Sequence, residues 1–194
     1  MKKIFSLIAL LLISNSNNLF AQKQIDVDGV IVPRFIKFEN REIELNGIGI
    51  RSKLWFDVYT QALYLNKLSQ DPVEILESNT TMAMRIQITS SLVTSKKFSK
   101  SINNGVEKSV GEIEFPKYKE ELDLLEKFIN TEKIVEKDIF NLVYNPTDES
   151  MWIIKNDVFK GKILGKDFKK AFFGIWLSDK PIDQKLKNDL LGKN

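Results

Sequence analysis

The stretch NGIGIRSKLWFDVYTQALYL, residues 46–65, decides how the rest of the chain is interpreted. Apolar or small side chains occupy most of its even positions, whereas odd positions carry polar or aromatic side chains such as Arg51 and Tyr59. Alternation with a period of two predicts β-strand, with one face on a core and the other in a polar or mixed environment. Gly47 and Gly49 would let the backbone come close to a ligand or to another strand.

Arg51 and Tyr59 share one predicted face and could together hold an anion, although the alternation by itself favours an ordinary hairpin with a solvated odd face. A straight strand would separate the two residues by about 26 Å. They can share a site only if the chain turns between them, which we expect near residues 52–53. Asp57 is the nearest acidic residue in the sequence, and it is the main rival to a ligand as partner of Arg51.

The flanking regions predict strands first, then helices, then strands and helices again. Strands are expected over residues 22–32, 35–39, 42–49, 80–90, 134–144, 151–155 and 157–164, and helices over residues 71–77, 94–110, 117–129, 166–176 and 181–191. This order is typical of an α+β fold, in which an antiparallel β-sheet packs against a layer of α-helices. No linker or repeat divides the chain, so residues 22–194 are expected to form one domain.

The first 21 residues have the pattern of a secretory signal peptide. Lys2 and Lys3 form a positive start, residues 4–13 are apolar, and Ala21 ends the segment. The apolar run is too short to span a bilayer, and nothing later in the sequence resembles a membrane span. We therefore expect a soluble, exported protein, which in a Gram-negative source means a periplasmic one.

The composition restricts the chemistry. The chain has no cysteine and no histidine, which excludes disulfides, thiolate nucleophiles, Ser-His-Asp triads and Cys- or His-ligated metals. Asp26 and Asp28 resemble a calcium loop, but the closing position is Phe35 instead of glutamate, so we interpret the segment as a turn. The net charge of +3 falls to about +1 without Lys2 and Lys3, so nothing suggests nucleic acid. We expect no metal and no cofactor.

Two stretches, LNGIGIRSKLWFDVYTQALYL (residues 45–65) and FFGIWLSDKPIDQKLKNDLLG (residues 172–192), resemble the bacterial chalcone isomerase-like family. The segment YNPTDESMWIIKNDVFKGKILGKDF (residues 144–168) resembles the same family. The resemblance covers nearly all of the chain after the signal segment. It implies an antiparallel sheet packed against helices, with a ligand cleft between the two layers.

The resemblance also implies where the catalytic residues of plant chalcone isomerases would fall. Their arginine matches Arg51, whereas their threonine position is Tyr59 and their tyrosine position is Phe98. Their asparagine position falls at or beside Gly105, next to Asn104. Because Phe98 has no hydroxyl to relay a proton, we expect no chalcone cyclisation.

Non-catalytic plant relatives of the family bind fatty acids, and an arginine and a tyrosine hold the carboxylate. Arg51 and Tyr59 resemble that pair, since a guanidinium makes a two-pronged contact with a carboxylate and a phenol adds a further hydrogen bond. Apolar cleft walls would come from side chains for which ordinary core packing is the simpler interpretation: Met82, Met84, Phe98, Phe172, Phe173 and Trp176.

Three functions remain open at this point. The first is a binding protein for a fatty acid or similar amphipathic carboxylate, held by Arg51 and Tyr59. The second is an isomerase or lyase that uses Arg51 as its electrophilic group on an unknown small molecule. The third is a structural or partner-binding protein whose cleft is filled by its own side chains. A cavity beside Arg51 separates the first two functions from the third.

The signal peptide leads to the first prediction, that the exported protein begins at Gln22. N-terminal sequencing of protein recovered from the exported fraction checks this. An intact Met1 on protein in a membrane fraction would contradict it.

Overall fold

A seven-stranded antiparallel sheet is the framework of the protein, for which the computed structural model describes residues 23–53 and 55–193. The predicted signal peptide lies outside these residues. Strands that follow one another in sequence are neighbours in the sheet. They are β3 (Phe35–Phe38), β4 (Arg41–Lys53), β5 (Phe56–Leu65), β6 (Met82–Ile88), β7 (Ile139–Asn145), β8 (Ser150–Lys155) and β9 (Val158–Leu164), and a separate hairpin of β1 (Gln24–Val27) and β2 (Val30–Pro33) precedes them.

Helices cover one face of this sheet. They are α1 (Pro72–Glu77), α2 (Ser95–Val110), α3 (Lys119–Ile129), α4 (Lys166–Leu177) and α5 (Gln184–Leu190), with a 3-10 helix over Phe115–Tyr118 before α3. Side chains of Asp71, Thr94 and Asp183 cap the first turns of α1, α2 and α5 by accepting backbone N–H bonds. The α+β fold predicted from the order of elements is confirmed.

The two faces of β5 are both buried from Tyr59 to Leu65, which excludes the alternative of a solvated odd face over these residues. Tyr59, Leu63 and Leu65 belong to the large core under the helices. Ala62 and Tyr64 belong to a smaller apolar cluster on the opposite face, together with residues of β1–β2 such as Val32. The alternation therefore separated the two faces correctly, but the face with the odd positions is the one that the helices cover.

Strand β7 begins at Ile139, several residues later than predicted. Residues 134–138 form a turn instead, in which Lys137 has a φ of 73° and the Asp138 carboxylate accepts the Val135 N–H at 2.9 Å. The apolar side chains of this segment suggested a strand, but the local hydrogen bond of Asp138 offers the backbone an alternative.

Helix α4 lies in the core, as its apolar side chains on all sides suggest. Phe168, Phe172, Phe173 and Trp176 are each at most 3% exposed. Lys169 on the same helix is also fully buried, and its ammonium donates to the backbone carbonyls of Ile75, Leu76 and Ser78 at 3.1, 2.8 and 2.9 Å. These bonds satisfy carbonyls at the end of α1 and fix α1 on α4.

Helix α5 lies directly against β4 at the two glycines of the opening stretch. A Cβ atom at Gly47 would lie 2.3 Å from the carbonyl oxygens of Asp189 and Leu190, and one at Gly49 would lie 2.7 Å from the Asp189 Cβ. The Asn46 amide donates to the Leu190 carbonyl at 2.9 Å, which holds the same contact. The glycines therefore make room for a helix, and not for a ligand or another strand.

This contact predicts that Gly47→Ala lowers the free energy of unfolding by about 1–3 kcal/mol, the usual cost of overpacking, because the new methyl group meets backbone atoms that cannot rotate away. Urea unfolding followed by circular dichroism measures the loss. The control is Glu42→Ala at an exposed position of the same strand, which should change stability by less than about 0.5 kcal/mol. Equal stability of Gly47→Ala and wild type would contradict the tight packing of α5.

Candidate functional site

Arg51 and Tyr59 face each other across the β4–β5 hairpin. The chain reverses between Lys53 and Phe56, and the register of the two strands pairs Arg51 directly with Tyr59. The register shifts between Arg51 and Ser52, which marks a bulge at the expected place of the bend. The turn near residues 52–53 that a shared site requires is therefore present.

Arg51 has an internal acidic partner, but it is Asp183 and not Asp57. The Arg51 Nη1 donates to Asp183 Oδ2 at 2.9 Å and also to the Ser52 carbonyl. The two side chains of this ion pair are 21% and 23% exposed. Asp57 instead accepts a hydrogen bond from the Ser52 hydroxyl at 2.7 Å. The prediction of Asp57 from its proximity in sequence is wrong, because the partner, Asp183, is the residue that caps α5.

The Asp183 carboxylate makes two contacts. Its Oδ1 accepts the Leu186 N–H at 3.0 Å and so caps α5, while its Oδ2 binds Arg51. An aspartate just before a helix signals an N-cap in the sequence. The sequence carries no signal for its second contact, which depends on where α5 packs.

Tyr59 is buried beside Arg51, and its hydroxyl accepts a hydrogen bond from the Trp176 indole at 3.1 Å. Burial raises the pKa of Tyr59 to about 12, which the Trp176 hydrogen bond and the Arg51 charge only partly offset. Within residues 23–53 and 55–193 the phenol proton has no acceptor. Tyr59 therefore keeps a neutral O–H donor beside a guanidinium.

A cavity of about 260 Å³ has both Arg51 and Tyr59 on its wall, and it lies between the hairpin and α2. A second cavity of about 430 Å³ continues from it along α2. The two cavities share lining residues from the hairpin and α2: Lys53, Val58, Tyr59, Ser101 and Asn104. The larger one falls within the size range of small-molecule sites, about 300–1,000 Å³, and the smaller one just below it.

The predicted apolar wall residues separate into two groups. Phe98 lies on the wall of the larger cavity and stacks on Phe140 with ring centroids 5.2 Å apart. The others are packed inside the core at 0–3% exposure and line neither cavity: Met82, Met84, Phe172, Phe173 and Trp176. Strand β6 lies in the middle of the sheet, so its methionines are covered by helices and have no open space beside them. Trp176 reaches the site only through its hydrogen bond to Tyr59.

The larger cavity has a partly apolar wall, made by different residues from those predicted, Phe98 excepted. They are Phe56, Val58, Leu92, Val93 and Phe98. The residues that line the two cavities also include Arg51 and lysines, but no aspartate or glutamate: Lys53, Lys97, Lys100 and Lys108. The segment KKFSK at residues 96–100 shows this basic character in the sequence, but only the packing of α2 places it beside Arg51.

Metal chemistry has no candidate centre in the part of the chain that the structure describes, since no group of three His, Cys, Asp or Glu side chains is arranged to hold an ion there. None of the helices among these residues is long and apolar enough to cross a membrane. Arg51, Tyr59 and the two cavities therefore remain the candidate site.

Comparisons with known proteins agree with this architecture. No curated protein matches the chain significantly. A fatty-acid binding protein of Arabidopsis thaliana has a similar crystal structure, with a TM-score of 0.69 and 17% sequence identity over 87% of this chain and 95% of that one. At this identity the likeness shows the fold alone. The family model described as chalcone isomerase-like matches residues 24–192. The chain therefore belongs to the chalcone isomerase-like family.

Proposed function

We propose that this protein is an exported, non-catalytic binding protein for a fatty acid or a similar amphipathic carboxylate. One observation carries the proposal: Arg51 and Tyr59 meet on the wall of a cavity that continues into a larger, partly apolar one. In a structural protein the cleft would be filled by the protein's own side chains, and these two cavities would be absent. The fatty-acid binding protein with the same fold supports the choice of ligand class.

The carboxylate end would bind in the smaller cavity. Arg51 uses its Nη1 for Asp183 and Ser52, so its Nε and Nη2 donors have no hydrogen-bond partner among the described residues. The Tyr59 hydroxyl adds a neutral donor directly across the hairpin. Donors from a guanidinium and a phenol suit the two oxygens of a carboxylate.

Asp183 sets the strength of this site. It holds the Arg51 guanidinium in place, but its negative charge also repels an approaching carboxylate. The protein would therefore bind an anion less tightly than an unpaired arginine allows. A long apolar tail would supply the remaining affinity by covering the apolar side chains of the larger cavity, such as Phe56, Val93 and Phe98.

The absence of catalysis is part of the proposal, and two positions support it. Phe98 stands where the resemblance places the catalytic tyrosine, and it packs on Phe140 without any hydroxyl. A Cβ at Gly105 would lie 2.7 Å from Cγ2 of Ile175, so the helix packing leaves no room for an asparagine there. Arg51 can polarise a carbonyl group, but neither Phe98 nor Gly105 has a side-chain group that could relay a proton beside it.

Fatty-acid titration of variants tests the proposed clamp. Arg51→Ala should weaken binding by about 2 kcal/mol, or roughly 30-fold, because charge-assisted hydrogen bonds are lost. Tyr59→Phe removes one neutral hydrogen bond and should cost about 1 kcal/mol. Asp183→Asn should tighten binding severalfold, since it removes a competing charge while asparagine still caps α5.

The opposite effects of Arg51→Ala and Asp183→Asn provide the internal control, because both break the same ion pair. If the pair is only structural, both variants should lose stability alike and neither should change affinity. Isothermal titration with a soluble fatty acid, together with urea unfolding, separates these outcomes. Equal affinity of wild type and Arg51→Ala would exclude Arg51 as the carboxylate ligand.

The neutral state of Tyr59 leads to a pH prediction. Because the folded-state pKa of about 12 exceeds the ordinary value of 10.0, the contribution of Tyr59 to stability is complete below pH 10 and is lost as pH rises towards 12. The tyrosinate absorbance of wild type minus that of Tyr59→Phe should show ionisation near pH 12, while circular dichroism monitors folding. A difference titration centred on the ordinary pKa of 10.0 would mean that the phenol is exposed to water.

A further inference from the structure

Besides Arg51, the walls of the two cavities carry a surface of lysines that has no role in the proposed carboxylate site. We call it the basic mouth and define it as Lys53, Lys97, Lys100 and Lys108. Lys53 comes from the end of β4, and the other three lysines come from one helix, α2. All four side chains belong to exposed residues, so their charges face water at the opening of the two cavities.

Several lysines elsewhere on the protein lie within 4.0 Å of a carboxylate: Lys67, Lys117, Lys155, Lys160, Lys162, Lys170 and Lys185. Other exposed lysines, such as Lys119 and Lys127, have no such partner among the described residues, so what sets the basic mouth apart is that its four lysines share one opening. No lysine of the basic mouth has such a partner in the described part of the chain. Lys97 and Lys108 donate to the backbone carbonyls of Leu92 and Pro181 at 3.1 and 2.7 Å, which orients their ammonium groups without neutralising them.

Two exposed apolar side chains stand beside these charges. Trp55 lies in the hairpin between Lys53 and Phe56, which both line the larger cavity, and it is 88% exposed. Leu92 lies on the wall of that cavity and is 55% exposed. A tryptophan is costly to leave in water because it offers a large apolar area for burial. Its exposure next to uncompensated lysines therefore points to a partner that is both apolar and anionic.

We propose that the basic mouth, with Trp55 and Leu92, docks on the surface of an anionic lipid bilayer. Tryptophan and leucine favour the boundary between headgroups and acyl chains, while lysines bind the phosphates above it. Several lysines that approach an anionic surface together add their attractions, so the four of the basic mouth act as one patch. The inference rests on the proposed function, since a membrane at this mouth would be the source or the destination of an amphipathic carboxylate.

The charge pattern favours a bilayer over the alternative of an acidic protein. The cavities open at the basic mouth, so an amphipathic ligand could pass between bilayer and cavity without crossing water. The charged residues that line the two cavities are all cations, namely Arg51 and the four lysines of the basic mouth, so this opening presents a single sign of charge. Asp57 is exposed on the same hairpin, but it is not on a cavity wall and accepts from Ser52.

Vesicle co-sedimentation tests the docking. The full exported chain is mixed with phosphatidylcholine vesicles that contain or lack phosphatidylglycerol. We expect binding to the anionic vesicles only, weakened by added salt. Lys53→Glu/Lys100→Glu, at two lysines without internal hydrogen bonds or ion pairs in the described structure, should reduce the vesicle partition coefficient roughly tenfold or more. Trp55→Ala should reduce it severalfold.

The matched control is Lys119→Glu/Lys127→Glu, which makes the same charge change at two exposed lysines of α3. Helix α3 packs on α2 as well as on β8 and β9, but Lys119 and Lys127 line neither cavity, so this variant should bind anionic vesicles almost as wild type does. Equal loss in both double variants would mean a net-charge effect and would overturn a specific docking surface. Absence of wild-type binding to anionic vesicles would overturn the bilayer as partner and leave an acidic protein as the occupant.

Failure of this inference is distinguishable from failure of the proposed function. Affinity for a soluble fatty acid, measured without vesicles, depends on Arg51 and Tyr59 and should survive Trp55→Ala. A protein that binds the fatty acid but no vesicle keeps the proposed function and loses the docking surface. A protein that binds anionic vesicles but no fatty acid would lose the proposed function, and the transfer of a carboxylate would no longer explain the docking.

Discussion

The close approach of α5 to β4 is the constraint on which the site depends. At Gly47 and Gly49 any side chain would collide with the backbone or side chains of the helix. Because these positions are glycines, α5 lies on the strand and its first residues reach the end of the hairpin. That position brings the capping residue Asp183 within 2.9 Å of Arg51. The packing of a helix thereby determines the electrostatics of a residue that is far from it in sequence.

A second link joins the site to the core. Tyr59 is fixed by the indole of Trp176, and Trp176 belongs to α4, which is buried on nearly every side. Buried Lys169 anchors α4 to the end of α1, so the helix that supports Tyr59 has little freedom to move. Arg51 and Tyr59 are therefore held by different helices, α5 and α4, while the hairpin register places them opposite each other. Preorganisation of this kind reduces the entropy cost of binding.

Much of the fold was predictable, because most segments combine a clear period of apolar residues with capping or turn residues at their ends. Strand alternation, helix caps and turn residues all pointed to the same elements, and the α+β class followed from their order. It was harder to predict which face of β5 the helices cover. Both faces are apolar enough to be buried, and periodicity alone does not say which layer covers which face. The apolar wall was misjudged for a similar reason. Met82 and Met84 are typical of both a core and a pocket, and only neighbours from distant segments distinguish the two.

By itself, the sequence determined most of the elements and the family, because hydrophobic periods, helix caps and turn residues are local features. It showed that Arg51 and Tyr59 can share a site if the chain turns between them, and the hairpin register then paired them. Only the tertiary structure decided that Asp183 is the partner of Arg51, that α5 occupies the space over the glycines, and that the lysines of α2 surround a cavity. These contacts join residues from distant parts of the chain. Their geometry follows from how the helix layer packs on the sheet, and no local pattern of residues records that packing.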